Sequence, residues 1–322
     1  MYYSDRLTLS EKFLNDYRLL DGIYRNKTIY SKDQEQTSDT FSYKWKKRET
    51  YESTSMKQNA REWLLEKYFD GDSSQIDKCI HGGNVLDAGC GAGFSALLLF
   101  GKLLNNANYL GVDVSSSVDT AKERFVEEGV RGEFLQTSLD DLPFDEPMFD
   151  VIFSEGVLHH TDSTERSFRY LARLLKPKGR IMFYVYRKKS AIREFTDDYI
   201  RDKLKCMNNE EAWDALISLS KLGEALGELK ATINIPEKID LLGIPAGEMD
   251  VQRFFYYHVC KAFYKENLTL DEMNHINFDW FRPVNCHRHT VEEIKCWCET
   301  ENLLIERIKE EPSGITTIAR KD

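Results

Sequence analysis

The chain has 322 residues, 41% of them hydrophobic and 30% charged, enough apolar content for one large domain with insertions or for two modest domains. A net charge of −10 argues against nucleic acid as a partner, because phosphate contacts draw on a basic face. No run of about 18 apolar residues occurs, and MYYSDRLTLSEKF lacks the basic-then-apolar order of a secretory signal, so the expectation is a cytoplasmic protein with no membrane partner.

Residues 1–40 read as one or two short helices followed by a polar loop, SKDQEQTSD. Residues 41–70 end in an amphipathic helix on which Ala60, Trp63, Leu64, Lys67 and Tyr68 recur at helical spacing. Together these form an N-terminal arm over 1–70. From residue 83 short apolar runs alternate with helical stretches: NVLDAG then FSALLLFGKLL, NYLGVDV then VDTAKERFVEEG, GEFLQTSL then the turn LPFDEPM, and FDVIFSEGV then STERSFRYLARLLKPKG before RIMFYVYR. Such alternation implies a doubly wound α/β core, a mostly parallel sheet with helices on both faces, over 71–187. It breaks at about residue 188. Residues 188–288 are too long for a loop and read as an inserted helical subdomain, with VQRFFYYHVCKAFYKENL as one of its helices. Residues 289–322 supply a helix, TVEEIKCWCETE, and two strands that complete the core.

The motif of most chemical weight is Asp87-Ala88-Gly89-Cys90-Gly91-Ala92-Gly93 at the end of the first core strand. Glycines let backbone turn tightly against a ligand, and ligands of open α/β sheets bind at the carboxyl ends of strands. The helix from Phe94 then points its amide-rich N-terminus at that ligand. The spacing D-x-G-x-G-x-G differs from the dinucleotide fingerprint G-x-G-x-x-G. About twenty residues on, Asp113 in GVDVS closes the next strand, where a carboxylate can accept both hydroxyls of a ribose.

VLDAGCGAGF, GVDVS, DLPFDEPMFDVIFSEGVLHH and LARLLKPKGR, in that order and spacing, resemble the class I S-adenosylmethionine (SAM)-dependent methyltransferases. The resemblance is to the type 11 branch, which includes ubiquinone and menaquinone methyltransferases. It implies a seven-stranded Rossmann-like sheet, SAM as methyl donor and S-adenosylhomocysteine (SAH) as product. It also implies that Asp87, Gly89 and Gly91 hold the methionine part and Asp113 the ribose. Ala88, Val114 and Ser154 adjoin them. The family's adenine-binding acid is replaced here by Ser138, with the Leu139 backbone beside it; Asp140 is the alternative if the register slips. By the same resemblance Glu155, His159 and His160, after the fourth core strand, line the space between donor and acceptor, and either histidine is a candidate general base.

N-terminal segments of the family fold over SAM. Tyr43 and Trp45, two apart in an extended segment, would share a side and offer cation–π attraction to the sulfonium, or pack the arm on the domain. The acceptor is expected to be a polar small molecule, methylated on oxygen or nitrogen by in-line displacement. Candidates to bind it are Arg253 and Tyr257 on the aromatic helix and Asp279, Arg282 and His289 on the loop before the chain returns to the core. His287 is a further catalytic candidate, and Thr290 with Glu293 has capping-box spacing. Seven cysteines, none in a CxxC pair, read as free thiols, and Cys286, Cys296 and Cys298 with His287 and His289 fit no familiar zinc spacing, so no metal is expected. A sulfur- or arsenic-directed methyltransferase using Cys260, Cys286 and Cys298, and a non-catalytic SAM- or SAH-binding regulator, are the competing readings. Homodimerisation stays open.

Overall fold

Residues 16–26 and 31–322 are described by the computed structural model. Of the stretch before SKDQEQTSD expected to be helical, residues 1–15 and 27–30 lie outside those described, and 17–26 form two strands instead. The chain divides into two units, one of Met1–Lys46, Asn59–Arg187 and Asn285–Asp322, the other of Lys47–Gln58 and Lys188–Val284.

The first unit holds a nine-stranded sheet. In chain order it contains β1 (Tyr17–Leu20), β2 (Ile23–Asn26), α1 (Lys32–Lys46), the greater part of α2 (Thr54–Phe69), α3 (Gln75–Ile80), β3 (Asn84–Ala88), α4 (Phe94–Phe100) and β4 (Asn108–Asp113). Then come α5 (Ser117–Glu127), β5 (Glu133–Gln136), β6 (Phe149–Glu155), α6 (Thr164–Arg173) and β7 (Leu175–Tyr186). Strand order is β1-β2-β5-β4-β3-β6-β7, followed by the two C-terminal strands. β2, β5, β4, β3, β6 and β7 run parallel, each to its neighbour. From β3 in the middle the chain winds outward through β4 and β5 toward the β1–β2 pair, then returns to β6 and β7 on the other side. That reversal leaves a crevice at the carboxyl ends of β3, β4 and β6, the place where open α/β sheets bind ligands.

Alternation along the strands sends side chains to both faces. Leu86, Ile152 and Phe183 join Phe168 and Trp297 in one buried layer. Val85, Phe153 and Met182 join Leu64, Tyr68 and Phe100 in the other. Burying each large apolar side chain contributes about 1.5–3 kcal/mol, so these two layers fix the strand register and hold the ligand edge in place.

The expectation of seven strands is corrected to nine. The extra pair is the β1–β2 hairpin, turned by Asp21 (φ 53°) and Gly22 (φ 70°), with β2 paired to β5. The polar stretch expected to be a loop, SKDQEQTSD, is instead the start of α1; it docks through Thr37, Thr40 and Lys44, which are buried.

The second unit is helical: α7 (Ala191–Leu204), α8 (Asn209–Glu228), α9 (Val251–His258) and α10 (Leu270–Phe281), with a short hairpin β8 (Thr232–Ile235) and β9 (Gly247–Asp250). Two expectations change here. The aromatic helix is shorter than its sequence pattern and stops at His258, where Gln252 Nε2 turns to donate to Ala262 O (2.7 Å). Asn277–Phe281, expected in a loop, is the last turn of α10, and Asn277 is buried with its amide on Ser220 Oγ (2.9 Å). The chain then returns to the first unit as α11 (Val291–Thr300), opened by the Thr290–Glu293 capping box, and the antiparallel strands β10 (Leu303–Glu310) and β11 (Gly314–Lys321).

Candidate active site

The loop after β3 is closed on both sides. Gly89 has φ 86°, and a Cβ there would lie 2.1 Å from Val157 Cγ1; Gly91 has φ 51°, and a Cβ there would lie 2.8 Å from Trp45 Nε1. Only glycine meets both demands, the left-handed backbone and the absent side chain. Trp45 therefore covers the loop. It does so from α1, a helix, so the expectation of an extended segment with Tyr43 and Trp45 on one side is corrected: two residues on a helix point about 200° apart, and Trp45 alone lies on Gly91.

Asp113 ends β4, 9% exposed. Its Oδ2 accepts the Gly91 N–H (2.9 Å), and its Oδ1 accepts the Ser115 N–H (2.8 Å) and hydroxyl (2.6 Å). Asp87, also buried, accepts the Tyr109 hydroxyl (2.7 Å). Burial, with the charges of Asp113 and Glu155 added, pushes the Asp87 carboxyl up to about 7 against that hydrogen bond. Burial likewise raises Asp113. Acids gathered in a buried crevice favour a ligand that carries positive charge, and a glycine cradle leaves room for its backbone contacts.

Other donor-side candidates are engaged within the protein. Ser154 donates its hydroxyl to Ala88 O (2.8 Å). Ser138 Oγ caps the short turn Leu139–Asp141 by accepting the Asp140 N–H (3.2 Å). Asp140 is turned toward α6, accepting Arg166 Nη2 (2.6 Å) and Ser167 Oγ (2.6 Å), which disfavours it as the adenine-binding acid. Val114 offers its carbonyl to Ser38 Oγ of α1 (3.4 Å).

At the end of β6, Glu155 is gripped by two neighbours on α2: Lys67 Nζ binds one oxygen and the Tyr68 hydroxyl the other (2.5 Å). Lys67 is fully buried, with its ammonium 3.7 Å from the Trp63 ring centroid and 3.5 Å from that of Tyr184. Burial lowers it to about 8, against the pull of Glu155. Next along the chain, His159 is 0% exposed, and neither ring nitrogen has a hydrogen-bond partner. Its ring lies 3.7 Å from Tyr186 and 4.2 Å from His160. Burial, above all, holds its pKa well below the usual imidazole value.

His160 Nδ1 donates to Asn285 O (2.6 Å). The His287 backbone N–H donates to His159 O (2.9 Å) and its Nε2 to Thr161 O (3.0 Å). His289 Nε2 meets Thr164 Oγ1 (2.9 Å). These three histidines stitch the returning segment to the loop after β6. The remaining acceptor candidates belong to the helical unit. There Arg253 donates to Tyr264 O (2.8 Å), Arg282 donates to Met207 O (2.8 Å), Tyr257 packs edge-on to Tyr256, and Asp279 sits half-buried on α10.

A family described as "Methyltransferase domain" matches residues 86–183, which run from β3 into β7 and include the glycine loop, Asp113 and the loop after β6. Those residues form a methyltransferase domain, and the protein is a SAM-dependent methyltransferase. The methyltransferase is 28% identical over 200 residues to the uncharacterized methyltransferase YodH of Bacillus subtilis, covering 60% of this chain and 82% of YodH. Over 126 residues it is 35% identical to a tRNA U34 carboxymethyltransferase of Hydrogenovibrio crunogenus, covering 38% of this chain and 37% of that one. Over 116 residues it is 30% identical to a ubiquinone biosynthesis O-methyltransferase of Rickettsia conorii, covering 36% and 37%. In these last two the match spans well under half of the relative. SAM is the methyltransferase's cofactor, and the glycine cradle, Asp113 and the surrounding acids fit its methionine, ribose and sulfonium. Sequence reasoning missed Tyr109 and the grip of Lys67 and Tyr68 on Glu155. The available signal was a lysine inside the apolar stripe of α2, where a charge is kept only if paired.

Proposed function

We propose that this methyltransferase transfers the SAM methyl group to an oxygen or nitrogen of a polar small molecule. The observation that carries the reading is the ligand edge itself: a Trp45-covered glycine loop beside Asp113, with Glu155 and His159 next along the chain from β6. In this reading Asp87, Ala88, Gly89 and Gly91 bind the methionine part, Asp113 and Val114 the ribose, and Ser138 with Leu139 the adenine. SAM supplies an already activated methyl, so holding acceptor and donor at about 3–3.5 Å supplies much of the rate. A relative named as an O-methyltransferase supports oxygen as the target atom. The net charge of −10 speaks against an RNA substrate like that named for the tRNA-modifying relative. Sulfur or arsenic transfer through the protein's own thiols is disfavoured, since burial pushes Cys260 and Cys298 up to about 12 and keeps them from acting as thiolates.

Calorimetry with SAM and SAH, followed by SAH release across a metabolite panel, tests the reading. Binding with turnover of hydroxyl- or amine-bearing small molecules is the expected result. No binding at about millimolar ligand, weaker than any ordinary enzyme–ligand affinity, overturns it.

A further inference from the structure

His159 stands out among the buried polar side chains of the sheet unit. A buried polar atom without a partner costs about 1–3 kcal/mol, so each one in a native fold calls for an explanation, a catalytic role among them. Both nitrogens of this fully buried ring are in that condition. The surroundings hold the ring in place and leave its nitrogens unmatched. Tyr186 lies across one face at 3.7 Å, His160 abuts it at 4.2 Å, and the backbone carbonyl of His159 is fixed by His287 N–H. The same loop reaches the donor cradle two residues earlier, where Val157 fills the space denied to a side chain on Gly89. The ring is thus anchored on the segment that closes the SAM loop.

We infer that His159 is the general base of the reaction and that the acceptor is a hydroxyl compound, whose O–H supplies the hydrogen bond the imidazole lacks. The inference rests on the methyl-transfer reading above. In the transfer, the acceptor oxygen forms a bond to the methyl carbon as the carbon–sulfur bond breaks and its electron pair returns to sulfur, giving SAH. The hydroxyl proton passes to a ring nitrogen of His159 and later to solvent. Positive charge leaves the sulfonium and appears on the imidazolium, so the buried site keeps its net charge through the step. The Tyr186 face, already against the ring, favours that imidazolium by cation–π attraction. A neutral amine needs no proton removed while the new bond forms, so an unmatched base points to a hydroxyl. The groups facing the ring are His160 on its own turn, Tyr184 and Tyr186 on β7, His287 and His289 on the returning segment, and Lys67 on α2. Positive charge on Lys67 or on the neighbouring histidines opposes protonation of the free ring.

Wild type, His159→Phe and His159→Gln are to be compared by three measurements: calorimetry with SAH, SAH release with panel acceptors matched in hydroxyl and amine pairs, and nitrogen NMR of ring-labelled histidine. Both variants are expected to bind SAH as the wild type does and to lose about 100- to 10,000-fold in kcat on hydroxyl acceptors, the usual worth of a general base. In wild type with SAH, a hydroxyl acceptor should shift the His159 ring resonances. Variants that bind SAH and keep hydroxyl turnover within about threefold, far inside that range, overturn the inference, as does a wild type that uses only the amine partners. If the substitutions abolish SAH binding, the NMR arm decides: ring resonances unmoved by the acceptor overturn it. A wild type that fails to bind SAH overturns the donor reading instead, so the two failures are distinct.

Discussion

Lys67 lies with its ammonium between the rings of Trp63 and Tyr184 and against Glu155, entirely out of water. A buried charge tolerates the loss of solvent only while its partner is present. Lys67→Met alone should therefore cost about 3–5 kcal/mol, since it strands the Glu155 carboxylate. The double variant Lys67→Met/Glu155→Gln should recover a large part of that loss. Denaturant unfolding of the single and double variants checks the coupling; additive losses would contradict it.

Asp87 yields a pH prediction of definite sign. Its carboxyl ionises near 7 in the fold, whereas an unperturbed aspartate does so at about 3.9. SAM is cationic, so its affinity should rise as pH is raised from about 6 to about 8 and Asp87 becomes charged. Asp87→Asn should flatten that rise, which calorimetry across the range would show. For the ligand-free fold the sign is opposite. A raised carboxyl contributes stability that is fully present below its unfolded pKa and lost as pH rises through the folded one. The Asn variant should accordingly gain thermal stability relative to wild type between about pH 5 and 8.

Among the elements, the β1–β2 hairpin bears on the site indirectly. Tyr17 donates its hydroxyl to Asp141 O (2.8 Å) and meets Thr137 Oγ1 (3.0 Å), and Asn26 Nδ2 binds Asp141 Oδ2 (2.6 Å), so the hairpin braces the loop that carries Ser138 and Leu139. Tyr17→Phe removes both hydroxyl bonds, worth about 0.5–1.5 kcal/mol each. It should weaken SAH binding several-fold and lower stability by no more than that sum, read by calorimetry and thermal melts. The hairpin was hard to see in sequence. Its strands are four residues each, too short for alternation to show, and Asp21-Gly22 was the sole signal. α1 was hidden for another reason: it docks through threonines, serines and a lysine, so no apolar stripe marks it. The end of α10 was masked by Asn274, His275 and Asn277, polar residues buried where the helical period calls for apolar ones. By contrast β3 to β7 were legible, because each apolar run ends in glycine, aspartate or a turn, and the ligand chemistry sits at those ends.

Over the molecule as a whole, charge sets which partners are admitted. With 54 acidic against 44 basic residues, the protein should neither be retained on immobilised polyanions nor incorporate label from methyl-labelled SAM into bulk tRNA. Incorporation into tRNA would overturn the small-molecule reading. The donor chemistry was readable because it is concentrated in a few contiguous motifs. The cluster proposed to meet the acceptor was not, because Lys67 and Tyr68, Glu155 to His160, Tyr184 and Tyr186, and His287 and His289 lie far apart in sequence and meet only once the sheet is built.

Trp45, whose indole rests on Gly91, makes the protein its own optical reporter. The indole nitrogen is 2.8 Å from the place a Gly91 side chain would take, with Lys44 Nζ 4.0 Å from its ring. A ligand settling on the glycine loop changes the polarity and charge beside that ring and hence its emission. The other four of the five tryptophans add a background, and among them Trp63, its ring 3.7 Å from Lys67 Nζ, stands beside Glu155. Donor occupancy should thus be readable by intrinsic fluorescence without a label, and Trp45→Phe, which leaves those four in place, should remove the larger part of the signal.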